Sequence, residues 1–143
     1  MNRLDIIEEF KGRARMDPRR IALPEAEDER FIKATDVVVR EGIARPILLG
    51  NKTTIVDQAR RLGISLDAVE LIEPSTSPWL EEYVSLYCQT RKVREGVARR
   101  ILRRPLFYAA MMVCRGDTEG MVGGAVYTSA DLIAAAELTV GLK

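Results

Sequence analysis

Along the first half of the chain the apolar positions alternate between helical and strand periods. Residues 2 to 15 carry Leu4, Ile6, Ile7 and Phe10 at helical spacing among charges, which predicts an amphipathic opening helix, ended by Asp17-Pro18. Arg20-Ile21-Ala22-Leu23-Pro24 is a short apolar run closed by proline, the pattern of a buried strand that stops at its carboxyl end. From Asp28 to Glu41 the helical period returns, with Phe31, Ile32, Thr35, Val38 and Val39 on one face and Gly42 as the C-cap. Arg45 to Asn51 reads as a second strand running into a Gly-Asn turn, followed by a helix marked by Ile55, Ala59 and Leu62 and capped by Gly63. Val69 to Ile72 gives a third strand, Pro74 to Pro78 a loop, and Trp79 to Lys92 a helix with Leu80, Tyr83, Val84 and Tyr87 turned inward.

In the second half Pro105 can open a helix, because proline is tolerated at the first helical position, and Leu106 to Arg115 is apolar almost all round, so that helix is expected to be buried. Gly116 ends it. Met121 to Val126 then reads as a last strand and Ser129 to Leu138 as a last helix. Short apolar strands separated by helices predict an α/β fold with a mainly parallel sheet, helices on both faces and right-handed crossovers. No repeat, low-complexity run or linker interrupts the series, so residues 1–143 are expected to form a single domain.

Composition narrows the functional classes. Lysine and arginine number 22 against 21 acids, which points to neither a nucleic-acid binder nor an acidic tail. No stretch has the length of a membrane span or the apolar core of a signal peptide, and the expectation is a soluble, cytoplasmic protein. With no histidine and only Cys88 and Cys114, far apart in the chain, neither a structural zinc site nor a histidine-based triad has raw material. Both cysteines are expected to be buried thiols.

In open α/β sheets, ligands bind beyond the carboxyl ends of the strands. One such place is Leu23 to Arg30, where Glu25, Glu27, Asp28 and Glu29 crowd a strand-to-helix turn; they can cap the helix and complement its dipole, or hold magnesium, which their number alone does not establish. The other is GMVGGAVYTSADL, residues 120–132. Gly123 and Gly124 allow close approach to the backbone, and Thr128 and Ser129 set hydroxyls beside the first unpaired N–H groups of a helix, an arrangement suited to phosphate. The same residues are equally suited to plain capping, with Thr128 or Ser129 as N-cap and Asp131 favouring the first turn. Neither GxxxxGK[ST] nor GxGxxG occurs. Between Arg91 and Arg104 seven of fourteen residues are basic, and Arg99/Arg103 and Arg100/Arg104 stand four apart as a stripe on one helix. That stripe is a solvated face or a site for a phosphate-rich ligand; a nucleic-acid backbone fits less well, since no aromatic residues alternate with the basic ones.

Taken together, RIALPEAEDERFIKAT, GIARPILLGN, YCQTRKVREGV and RPLFYAAMMVCRGDTEGMVGGAVYTSADL occur in the order and spacing of the phosphate acetyltransferase (phosphotransacetylase) and phosphate butyryltransferase family. The resemblance covers the chain from about Arg20 onward. It implies a three-layer α/β/α lobe of the isocitrate/isopropylmalate dehydrogenase-like kind, one of two around a cleft, and interconversion of acetyl-CoA plus phosphate with acetyl phosphate plus CoA. It implies no metal and no cofactor beyond CoA as a substrate. Four substrate-binding residues follow from it: Arg91, matching the RKxxG arginine that contacts CoA; Thr128 and Ser129, the hydroxyl pair that contacts phosphate; and Asp131, the acid that follows.

The chain departs from the family pattern in three ways. Tyr127 stands where the family has a histidine, and Ala134-Ala135 where it has arginine then proline. The third is length: family members run to more than twice this size, and the serine, arginine and aspartate assigned to transition-state stabilisation and thiol activation lie in the part that follows. No catalytic residue is therefore expected within 1–143. The expectation is a first lobe whose second lobe and C-terminal returning segment lie outside this sequence, with self-association or a partner chain covering the exposed seam. A non-catalytic phosphate- or CoA-binding module of the same fold is the alternative.

Overall fold

All three strands expected before residue 75 form, and they run parallel. The computed structural model describes residues 2–141. Its elements are α1 (Arg3–Met16), β1 (Arg19–Leu23), α2 (Glu29–Glu41), β2 (Ala44–Leu49), α3 (Lys52–Leu62), β3 (Glu70–Ile72), α4 (Leu80–Arg91), α5 (Glu95–Leu102), α6 (Pro105–Arg115), β4 (Gly120–Met121) and α7 (Ser129–Thr139), with a 3₁₀ turn at Pro74–Thr76 in the expected loop. The sheet order is β3-β2-β1-β4. Ile21 pairs with Pro46 and with Gly120, and Leu48 pairs with Leu71.

Side chains alternate across the sheet and so divide the core in two. Leu23 and Leu48 pack with Ala26 and Ile55 on the α2–α3 side. Ala22, Ile47 and Leu49 face the other way, into a larger cluster with Tyr83, Leu102, Leu106 and Tyr108. Every residue of α6 from Leu106 to Met112 is buried, which makes it the central helix of that layer, as its unbroken apolar run predicts. The three-layer arrangement thus follows from period-two strands feeding helices whose apolar stripes cover both faces.

Four expectations are corrected. The last strand is Gly120–Met121 rather than Met121–Val126, because beyond Val122, whose N–H still reaches Ala22 O, the backbone N–H groups turn to a side chain instead of a neighbouring strand. Cys88 is half-buried and Cys114 exposed, so neither is a core thiol. The basic stripe is broken: α5 stops at Leu102, Arg103 is its C-cap, and Arg104 is the N-cap of α6. Finally, α1 forms with a capping box at Asn2 and Asp5 but buries none of its residues. Its Leu4 and Phe10 are 67% and 60% exposed, and Phe10 borders an open apolar groove of about 400 Å³ with Ile21, Phe31 and Val122.

Candidate functional site

Beyond the carboxyl ends of β1 and β4 lies a crevice of about 160 Å³, walled by Pro24, Glu25, Glu27 and Asp28 on one side and by Pro105, Val126 and Tyr127 on the other. Proline at 24 ends β1, and the chain turns so that the Glu25 side chain enters the fold, where it is only 4% exposed. Its carboxylate accepts four backbone hydrogen bonds. Gly124 N and Ala125 N donate to Oε2 at 2.8 and 2.9 Å, and Val126 N and Tyr127 N donate to Oε1 at 2.8 and 2.5 Å. Successive N–H groups converging on one anion form a nest. Burial pushes Glu25 towards the neutral form, but the four donors outweigh it and hold the carboxyl below its ordinary value.

Two glycines make this loop geometry accessible. Gly124 has φ of +118°, a conformation that a side chain would strain. A Cβ on Gly123 would stand 3.1 Å from Leu132 Cδ2 and 3.5 Å from Glu25 Oε2. The same β1–α2 turn also grips the loop from its carbonyl side, since Arg30 donates from Nη2 to Ala125 O at 3.1 Å while paired with Asp28 at 2.8 Å. Asp28 caps α2, and its hydrogen bonds from the Arg30 guanidinium and backbone N–H lower its pKa to about 2. Of the four acids in this turn, then, one is a cap and one is a buried anion. Among the described residues no group of three or more His, Cys, Asp or Glu side chains is arranged to hold a metal ion.

At the start of α7, Thr128 and Asp131 form a capping box. Asp131 N donates to Thr128 Oγ1 at 3.2 Å, and both the N–H and the hydroxyl of Thr128 donate to Asp131 Oδ2 at 2.9 Å. These bonds keep Asp131 below its ordinary pKa, helped by the nearby charge of Arg104. Thr128 and Asp131 are thereby occupied with each other. Ser129 makes no hydrogen bond through its hydroxyl or its N–H among the described residues, and the N–H of Ala130, in the same first turn, also has no intrahelical partner.

Arg91 lies elsewhere. It is half-buried at the end of α4, where Nε donates to Leu138 O at 2.8 Å and Nη2 donates to Glu137 O. Those carbonyls belong to the last turn of α7, so Arg91 sits at the opposite end of the helix from Ser129. Eleven residues at ~1.5 Å each separate the two ends by roughly 16 Å. Thr128, Ser129 and Asp131 are brought together; Arg91 does not join them. Tyr127 is partly buried against the main core, and burial raises its phenol above the ordinary value, so it offers an O–H donor rather than the near-neutral titration of a histidine. Ala134 is exposed on α7 and Ala135 is buried beneath it.

Sequence reasoning missed the roles of Glu25, Arg30 and Arg104. Glu25 is one of four neighbouring acids, and its donors lie about a hundred residues away (sequence separations 99 to 102), so no local pattern singles it out. Arg104 ends the basic run of the sequence; its guanidinium stacks 4.9 Å above Phe107, and its charge is felt at Tyr127 and Asp131.

Comparison with known proteins shows the family. The family model described as phosphate acetyl/butaryl transferase matches residues 5–143. The chain belongs to that family. It is 39% identical over 125 residues to a phosphate acetyltransferase of Nitratidesulfovibrio vulgaris, covering 85% of this chain and 18% of the relative. It is 34% identical over 134 residues to a phosphate acetyltransferase of Clostridium acetobutylicum, covering 91% of this chain and 40% of the relative. Among solved structures, the EutD phosphotransacetylase of Staphylococcus aureus superposes with a TM-score of 0.90 at 29% identity over 98% of this chain and 43% of that one. This family member therefore spans less than half the length of these relatives, and its α/β/α unit reproduces the corresponding part of the solved phosphotransacetylase. No helix among the described residues is long and apolar enough to cross a membrane.

Proposed function

We propose that this α/β/α unit acts as the phosphate-binding lobe of a phosphate acyltransferase, moving an acetyl or similar acyl group between phosphate and CoA in the cytoplasm. The observation that carries the reading is the first turn of α7. Its Ser129 and Ala130 N–H groups and the Ser129 hydroxyl, on exposed residues, have no hydrogen-bond partner among the described residues, while the neighbouring donors are already paired. The helix dipole favours an anion there by about 0.3 to 1 kcal/mol. Arg91 is proposed as the CoA contact: its two bonds to α7 carbonyls use only part of a guanidinium with five donors.

In the transfer itself the CoA thiolate forms a C–S bond to the acyl carbon, the carbon–oxygen bond to phosphate breaks, and phosphate leaves as the anion. This lobe holds that phosphate in place, and a second lobe, supplied by further polypeptide or by another chain, closes the cleft and contributes the remaining cations. Val126 and Ile133, 65% and 58% exposed, support a covering chain at this edge. A non-catalytic phosphate- or CoA-binding module is the second reading, favoured by Ala134, which lacks the cation of the family pattern. Nucleic acid is disfavoured, because Arg99 is held by Glu81 in a two-point pair at 2.7 and 2.8 Å and the basic stripe is discontinuous.

The test is titration with inorganic phosphate and with acetyl phosphate, followed by backbone amide shifts. Shifts should centre on Ser129 and Ala130. Shifts centred on Arg99 to Arg104 would overturn the reading. Acyl transfer, measured by thioester absorbance, should be absent from the 143 residues alone and should appear on adding the second lobe; binding without such turnover would favour the non-catalytic module.

A further inference from the structure

The loop that delivers the chain into α7 is built around a negative charge that belongs to the protein. Four consecutive N–H groups, 124 to 127, converge on the two oxygens of one carboxylate that is 4% exposed. Left unpaired in that position, the same N–H groups would be the strongest anion-binding feature of the crevice, ahead of a single helix N-terminus, because four donors converge where a helix end presents two or three. They are not available. Arg30 holds Ala125 O from the other side at 3.1 Å, so the β1–α2 turn fixes both the N–H and the C=O directions of the loop. The conformation requires Gly124 at φ +118° and leaves no room for a Cβ on Gly123 without displacing Leu132, so loop and carboxylate fit one another.

We propose that Glu25 is a positioning residue for the anion-binding end of α7. Its carboxylate is a resident anion that saturates the Gly124–Tyr127 nest and thereby confines an external anion to the donors of Ser129 and Ala130. The inference rests on the reading that the α7 N-terminus binds phosphate, and adds that Glu25 never contacts that phosphate. A substrate anion enters beside a pre-filled nest and finds α7 already oriented, and the register of the capping box at Thr128 is inherited from the loop before it.

The experiment uses the 143-residue chain and amide spectra, with inorganic phosphate as the probe. In the wild type, amides 124–127 should be protected from hydrogen exchange and unmoved by phosphate, while Ser129 and Ala130 shift. Glu25→Gln, nearly isosteric, turns an NH₂ group towards two N–H donors. It should move all four loop amides and weaken phosphate binding at 129–130 several-fold, through loosening of the loop that orients the first turn of α7, since no contact to phosphate is removed. In Glu25→Ala, sodium formate should return amides 124–127 towards their wild-type positions, and sodium chloride at equal ionic strength should not. Rescue by a small carboxylate separates a resident anion from a residue that only fills space.

Two results would overturn the assignment: phosphate moving 124–127 as strongly as 129–130 in the wild type, or Glu25→Gln leaving the loop amides and the phosphate affinity unchanged. If phosphate moves nothing in the wild type while formate still restores 124–127, the phosphate reading falls and the resident anion stands. If formate restores nothing, the resident anion falls whatever phosphate does.

Discussion

At its N-terminus α7 is closed by Thr128 and Asp131, three residues apart, whereas at its C-terminus the last carbonyls are taken by Arg91, which lies 46 and 47 residues earlier in the chain. Both ends obey the same electrostatics, a carboxylate near the positive end and a guanidinium at the negative end. They differ in what they leave over. A capping box satisfies donors from within the helix and leaves the exposed Ser129 and Ala130 N–H groups without a partner among the described residues. The other end is closed by a distant arginine, which ties α4 to α7 and so contributes to tertiary structure. The N-terminal end has a further layer, because Glu25 fixes the loop before it through four bonds across the fold.

The largest effect should come from that layer. Glu25→Ala leaves four N–H groups without their acceptor, and at ~1 to 3 kcal/mol for an unsatisfied buried group, partly relieved by water, a loss of about 3 kcal/mol in urea unfolding is expected. A loss below about 1 kcal/mol would show that the loop relaxes freely and that the two ends of α7 are equivalent. Acid should act in the same direction. The folded-state pKa of Glu25 lies below its ordinary value of 4.5, and that of Asp28 falls from 3.8 to about 2. Carboxylates with depressed values contribute fully above their unfolded pKa and lose that contribution as pH falls through the folded one. Wild-type stability should therefore decline from about pH 4.5 towards pH 2. Glu25→Ala should show a shallower decline over that range.

The contrast also explains what was legible in the sequence. Thr128-Ser-Ala-Asp131 is a capping signal readable within four residues, and the α2, α3 and α6 ends at Gly42, Gly63 and Gly116 were readable for the same reason: a φ above zero is a local demand that glycine meets. Parallel strands 1 to 3 followed from short apolar runs between helices. The last strand did not, because Val122 to Val126 has the composition of a strand while its N–H groups from Gly124 onward serve a carboxylate about a hundred residues upstream. The bonds of Arg91 to α7 were hidden for the same reason, since their acceptors lie 46 and 47 residues away. Resemblance could assign Arg91 to CoA, but only the fold shows that it also closes α7. Burial of the cysteines depends on how far along α4 and α6 the core reaches: Cys114 lies beyond the buried run of α6 and is exposed, although its thiol donates to Thr139 O at 3.4 Å near the end of α7.

Thr128→Ala should come next in size. It removes the acceptor for Asp131 N and a donor to Asp131 Oδ2, and loss of an N-cap side chain costs ~1 kcal/mol. Because the N–H of Asp131 then joins those of Ser129 and Ala130 as an unpaired donor, the stability loss should be accompanied by unchanged or tighter phosphate binding in the amide titration. A simultaneous loss of phosphate shifts would assign the Thr128 hydroxyl to the ligand instead of to the cap. Arg91→Met retains most of the apolar stem and removes the two bonds at the other end; for a half-exposed group this should cost ~0.5 to 1 kcal/mol. It should leave phosphate shifts at Ser129 untouched. Coupled loss at both ends in one variant would show that α7 responds as a rigid unit and that the two ends cannot be assigned separate tasks.

The smallest effect on stability, and the sharpest on function, should come from Ala134→Arg. Position 134 is exposed, so a long side chain is accommodated there without disturbing Ala135, which is fully buried next to it. Helical side chains lean towards the N-terminus, and residue 134 lies four positions after Ala130 on the same face, so its guanidinium projects back over the first turn where Ser129 and Ala130 present their N–H groups. Asp131, three residues earlier, competes for the new cation, but its carboxylate is already engaged with Thr128 through both N–H and hydroxyl. Unfolding free energy should change by less than about 0.5 kcal/mol, as for most exposed substitutions. Phosphate affinity should rise by roughly threefold to tenfold, the range for a charge-assisted contact that remains solvent-screened, and should fall again as salt is added. An arginine that stabilises α7 through Asp131 without tightening phosphate would mean that the open donors at the start of α7 face away from the anion, and that this end, like the C-terminal one, is closed for structure alone.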